Sequence, residues 1–178
     1  MSLTKTPICD FGKKAENFSL MSINDQMVSL NDVKGSKGTL VMFICNHCPY
    51  VKAVIKDIVN DTIVLKNHGI NSVAIMSNDT QNYPEDSFEN MKIFSKENNF
   101  SFPYLLDKSQ TIAKNYNAVC TPDFFGFDKD LKLKYRGRID SGVMNANQDS
   151  NIERDLFNAM IKIKNEGIGP INQMNSIG

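Results

Sequence analysis

Thr39-Leu-Val-Met-Phe-Ile-Cys-Asn-His-Cys-Pro-Tyr50 runs from an unbroken apolar stretch straight into a Cys-x-x-Cys pair. The apolar part, Thr39 to Ile44, reads as a strand buried on both faces, since a half-exposed strand would alternate. Beyond the cysteines, Val51, Val54, Ile55, Ile58, Val59 and Leu65 recur at helical spacing. They lay one apolar stripe along a helix that continues to about Asn67. His68-Gly69 supplies its stop, with Gly69 suited to the left-handed position after a helix. Ile70 to Met76 is the next buried strand. Strand, cysteine pair, helix and strand make an α/β fold, with the cysteines at the strand-to-helix junction where such folds keep their chemistry.

On the amino-terminal side, Asn17 to Met21 and Met27 to Leu30 are strand-like, and the turn residues of Ser22 to Gln26 join them as a hairpin. Lys34 to Gly38 is a loop. On the carboxyl-terminal side, Asn78 to Pro84 is a polar loop, and the stretch Asn78 to Asp86 either shapes a substrate groove or caps the sheet. Pro84-Glu-Asp86 is expected to open a second helix with its acids in the first turn, and Phe88, Met91 and Phe94 as its inner face. A short helix follows from Ser109 to Tyr116. Strands from Asp123 to Phe127 and Leu131 to Arg136 flank the turn Asp128 to Asp130. Ile152, Leu156, Ala159 or Met160, and Ile163 mark a final helix. Arg136-Gly-Arg138-Ile-Asp140 reads as a solvated strand end, with one arginine lining the redox site as the alternative. The expectation is one domain over 1–178, with a core of about 11–165 and a tail of 166–178.

Lys plus Arg and Asp plus Glu are each 20, a formal net charge of zero. That argues against nucleic acid or a charged membrane surface as a partner. Met1 to Asp10 contains no apolar signal-like core, and no stretch approaches the ~18 apolar residues of a membrane span, so a cytoplasmic protein is expected.

The cysteines are Cys9, Cys45, Cys48 and Cys120. A disulfide closing so short a loop as 45–48 constrains the unfolded chain little, so that pair looks chemical rather than architectural. At a helix start, amides and dipole favour a thiolate at the first cysteine, and the spacing brings the second sulfur within disulfide reach. Cys45 is therefore expected to attack a substrate disulfide and Cys48 to release the mixed disulfide. His47, if partly positive, would stabilise the thiolate; otherwise it faces solvent. Half of a zinc site is the competing reading, but Cys9, His68 and Cys120 are scattered without ligand spacing. Haem attachment would need His where Pro49 stands. Two inert buried thiols are the remaining alternative. Cys120 is read as a third redox thiol or a bystander, and Cys9 has no assigned role.

With Phe43 to Val51 and Cys120-Thr-Pro-Asp-Phe-Phe125 in view, the chain resembles the peroxiredoxin-like thioredoxin-family proteins. These are related to the alkyl hydroperoxide reductase and thiol-specific antioxidant (AhpC/TSA) group. Ser77 to Thr80, Asn82 to Asp86 and Tyr135 to Asp140 match the same pattern, so the resemblance covers about Phe11 to Asp140. It implies a thioredoxin-like fold, a central mixed sheet flanked by helices, with an N-terminal β-hairpin extension. It also implies a cis bond at Pro122, with the Thr121 backbone free to pair with an extended substrate. In peroxiredoxins the peroxidatic cysteine corresponds to Cys48. Here Val41 replaces that motif's proline, Cys45 its hydroxyl residue, and no arginine stands near Thr121, which argues against peroxidase activity. Against thioredoxin, Asn46-His47 replaces Gly-Pro and the strand lacks the buried aspartate. The likeness to protein disulfide isomerase at His47 implies a potential nearer about −180 mV than about −270 mV. Relatives often carry a further Gly-Cys and a basic, aromatic tail, whereas this sequence reads Ser176-Ile-Gly178.

The expected activity is thiol–disulfide exchange on a protein or small-molecule disulfide. Cys45 and Cys48 react, Asn46 and His47 support them, and Thr121 and Pro122 shape the docking site. A thiol reductant recycles the pair, and no organic cofactor or metal is required. The alternatives are a peroxidase using Cys48 and a binding module that has lost redox turnover.

Overall fold

Every residue from Gly38 to Phe43 is buried. Leu40, Met42 and Ile44 enter one core layer, and Val41 and Phe43 the other. Alternation across a strand covered on both faces explains why the segment reads as an unbroken apolar run. In the computed structural model, which describes residues 10–142 and 152–178, this segment belongs to a seven-stranded sheet. Cys9 lies outside the described residues.

The elements in chain order are β1 (Ser19–Ser22), β2 (Met27–Ser29), α1 (Leu30–Val33), β3 (Gly38–Phe43), α2 (Pro49–Asn67) and β4 (Ile70–Met76). A single 3₁₀ turn (Pro84–Asp86) then precedes α3 (Phe88–Glu97), β5 (Tyr104–Leu106), α4 (Thr111–Tyr116), β6 (Asp123–Asp128), β7 (Leu133–Gly137) and α5 (Asp155–Glu166). The sheet order is β2-β1-β5-β4-β3-β6-β7. β3, β4 and β5 are parallel neighbours, and the remaining pairings are antiparallel. The sheet is therefore mixed, with the expected hairpin β1–β2 added at one side. Residues of α2, α3 and α5 pack in the layer with Leu40 and Met42; α1 and α4 contribute to the opposite layer around Val41 and Phe43. Each large side chain so buried stabilises the fold by roughly 1.5–3 kcal/mol. No helix among the described residues is long and apolar enough to cross a membrane.

Several local expectations change. Pro84–Asp86 is a 3₁₀ turn, and Ser87 caps α3 one residue later by accepting from the Asn90 amide. β5 and α1 had no counterpart in the sequence reading. α1 is closed by a reciprocal capping box, Ser29 with Asp32. Ile152 lies before α5 and is exposed, so the inner face of that helix is Leu156, Ala159, Met160 and Ile163. At the end of α2, Gly69 does take the left-handed conformation, with φ of 77°.

Candidate active site

α2 starts at Pro49, which makes Cys48 its N-cap residue. Proline favours this first position because it has no amide to leave unpaired and its φ already suits the helix. The N-terminus of α2 therefore stands at Cys48, one turn later than the helix start at Cys45 expected from sequence. The backbone amides of Tyr50 and Val51 help to favour the Cys48 thiolate. The Cys48 thiol is lowered to about 5, first by the neighbouring Cys45 thiol, with the Thr121 side chain and these amides adding and burial opposing. Cys45 moves the other way. The neighbouring Cys48 sulfur holds its proton, and burial and the charge of Asp86 push it further up. Cys45 is 1% exposed and Cys48 7%. A cavity of about 410 Å³ opens on Cys48 and not on Cys45.

Thr121 faces both sulfurs. Its Oγ1 lies 3.3 Å from Cys45 Sγ, and its carbonyl oxygen lies 3.1 Å from Cys48 Sγ, where it accepts from the protonated thiol and opposes the thiolate. The Thr121–Pro122 peptide is cis. The segment carrying it is fixed from beneath by Arg136, whose guanidinium donates to both carboxylate oxygens of Asp123 (3.2 and 2.7 Å) and to Asn117 O (2.7 Å). Arg136 also stacks over Phe125 at 4.5 Å and is buried. It is thus no solvated strand end; its role is to position the loop before β6. Burial pushes the Asp123 carboxyl up, and the Arg136 hydrogen bonds oppose that.

Asp86 is the site residue that sequence reasoning misread. It is fully buried, and its Oδ1 accepts from the backbone amides of Asn46 (2.8 Å) and His47 (3.2 Å). Its Oδ2 meets His47 Nδ1 at 2.7 Å and Asn78 Nδ2 at 2.8 Å. The carboxylate thus ties the residues between the cysteines to the loop after β4. The sequence signal available was only its place in an acidic turn. His47 is held on both sides: its Nδ1 is engaged by Asp86 and its ring stacks on Tyr83 at 4.9 Å. Asn46 is buried, donating to Glu85 O (3.1 Å) and accepting from the Tyr104 hydroxyl (3.0 Å). Burial raises that phenol well above its ordinary value.

Cys120 also lines the cavity, along with His47, Tyr50, Tyr83 and Val119. Its thiol is pushed up to about 12 by burial, with the charge of Asp123 adding, so at neutral pH it is a protonated part of the wall. Among the described residues lining this cavity there is no arginine. Cys45, His47 and Asp86 place one donor atom each within 4.8 Å of one another, and these are the described residues that could hold a metal ion. Each of the three is already engaged in the hydrogen bonds described above.

Residues 11–136 match the AhpC/TSA family. The chain belongs to the AhpC/TSA family. The match ends at Arg136 and so takes in both cysteines, Asp86, Thr121 and Pro122. An uncharacterized conserved protein of Geobacillus kaustophilus superposes on this AhpC/TSA chain with a TM-score of 0.93 and 42% identity, covering 100% of this chain and 94% of that one. Thiol-disulfide oxidoreductase ResA of Bacillus thuringiensis subsp. konkukian is 28% identical over 137 residues, 73% of this chain and 70% of its own length. The thioredoxin domain of a thiol-disulfide oxidoreductase from Bacteroides vulgatus shares the fold, with a TM-score of 0.68 at 19% identity, over 89% of this chain and 100% of that domain.

Proposed function

We propose that this thiol–disulfide oxidoreductase uses Cys48 as its attacking thiol and Cys45 as its resolving thiol, the reverse of the order expected from sequence. The observation that carries this assignment is the start of α2 at Pro49, which puts the helix N-terminus and the cavity opening at Cys48. The Cys48 thiolate attacks one sulfur of a substrate disulfide R–S–S–R, forming Cys48–S–S–R and expelling RS⁻, which takes up a proton. Loss of the Cys45 proton then frees that thiolate to attack the Cys48 sulfur. The Cys48–S–R bond breaks, the Cys45–Cys48 disulfide forms, and the second RS⁻ leaves. Two electrons pass from the cysteine pair to the substrate, and a thiol reductant returns them.

Asp86 holds Asn46 and His47 so that the two sulfurs keep their spacing through both steps. The transition state for peroxide cleavage needs donors aimed at the departing oxygen, and no guanidinium faces Cys48 in the cavity. Disulfide exchange is therefore the better reading than peroxidase. Equilibration of the protein in glutathione redox buffers, read by mass spectrometry, tests it. A reversible two-electron couple between about −270 and −150 mV is expected, since a stabilised Cys48 thiolate favours the reduced form. Failure of Cys45 and Cys48 to form a reversible disulfide would overturn the proposal.

A further inference from the structure

After α5 the chain runs along the outer edge of β7 and reaches the active site from behind. Met174 O accepts from the Arg138 amide at 2.8 Å, and Gln173 Oε1 from the Arg136 amide at 2.9 Å. Gln173 Nε2 donates to Lys134 O and Pro170 O, each at 3.0 Å. Ser176 is buried, and its hydroxyl donates to Pro122 O at 2.6 Å. The close approach of Met174 O depends on Gly137, because a methyl group there would lie 2.6 Å from that oxygen. Beyond Ser176, Gly178 rests on the peptide of Thr121. A methyl group on Gly178 would lie 2.3 Å from Thr121 O, 2.8 Å from Thr121 N and 2.9 Å from Cys120 Cβ.

We propose that Gln173–Gly178 is a strap occupying the place an extended polypeptide would take beside Thr121, so that the Cys48 cavity accepts low-molecular-weight disulfides in preference to protein disulfides. The inference rests on the thiol–disulfide reading above. An extended peptide docks on an exposed backbone edge through main-chain hydrogen bonds. Gly178 lies against the peptide of Thr121, whose hydroxyl and carbonyl face the two sulfurs, and crowds one side of that backbone. The cavity itself stays open to Cys48, and its volume of about 410 Å³ suits a small molecule. A second cavity of about 320 Å³ is lined by Gln173–Ile177 together with Pro122, Phe124 and Ile139. The strap is pinned by the hydrogen bonds given above, and Ser176 is its one buried residue.

The experiment compares reduction of glutathione disulfide and of insulin by the full chain, with dithiothreitol recycling and the uncatalysed rates subtracted. Wild type, Gly178→Val and Ser176→Ala are assayed. The expected kcat/KM for glutathione disulfide exceeds that for insulin by at least tenfold in wild type. Gly178→Val, whose side chain cannot share space with the Thr121 peptide, lowers that ratio at least fivefold by raising the insulin rate. Ser176→Ala, which removes one pin and little volume, lowers it by a smaller factor. Equal rates on both substrates in wild type, or an unchanged ratio in both variants, would overturn the strap while leaving thiol–disulfide exchange standing. Inactivity toward both substrates would overturn the exchange reading itself, and the strap proposal with it.

Discussion

Iodoacetamide reacts with thiolates rather than thiols, so its rate against Cys48 reports the charge on that sulfur. With the Cys48 thiol lowered to about 5, the thiolate predominates above that pH and is lost below it. The alkylation rate of Cys48, read by peptide mass spectrometry, is expected to plateau by pH 7 and to fall tenfold per unit below about pH 5. Cys45→Ala removes the neighbour that lowers that thiol most and is expected to move the midpoint up toward an ordinary thiol. Preferential alkylation of Cys45 would overturn the assignment. The start of α2 was legible in Pro49, since proline prefers the first helical position. The sequence reading placed the helix amides one turn early because periodicity fixes which face of a helix is buried, not where the helix begins. Asp86 was not legible. Its amide partners are 39 and 40 positions away, and an acid beside Pro84 reads equally well as a first-turn charge.

Among the elements, β7 and the loop before β6 form a unit through Arg136 and Asp123. Breaking a buried pair from one side strands the other charge, so Arg136→Ala is expected to cost about 3–5 kcal/mol in urea denaturation. Replacing both groups together, as Arg136→Met with Asp123→Leu, should recover most of that loss, because no uncompensated charge remains. A double variant as unstable as the single one would show that the pair acts by shaping the Asn117–Asp123 loop rather than through charge. The longer elements, β3, α2, β4 and β6, were readable because each carries an uninterrupted run or a helical stripe. β5 was not: three residues between Pro103 and Asp107 are too few to show alternation. Only its pairing with β4 on one side and β1 on the other makes it a strand.

At the scale of the whole molecule, the sheet ends in β2 on one side and β7 on the other. β2 is only three residues long and offers little for another chain to pair with. β7 is longer, and its outward amides at Arg136 and Arg138 are taken by Gln173 and Met174. The segment that lies against Thr121 is therefore also a cap on an edge strand. Removing residues 173–178 is expected to make the protein elute earlier in size-exclusion chromatography as its concentration rises, with no such shift in the full chain. Coincident elution of both proteins across the range would mean that the edge is protected some other way. The consequence reaches physiology through solubility: any molecule that lifts this segment to admit a polypeptide also bares hydrogen-bond donors to its own kind. Admission of large substrates and self-association then draw on one open population, and crowding by copies of the protein competes with its larger clients.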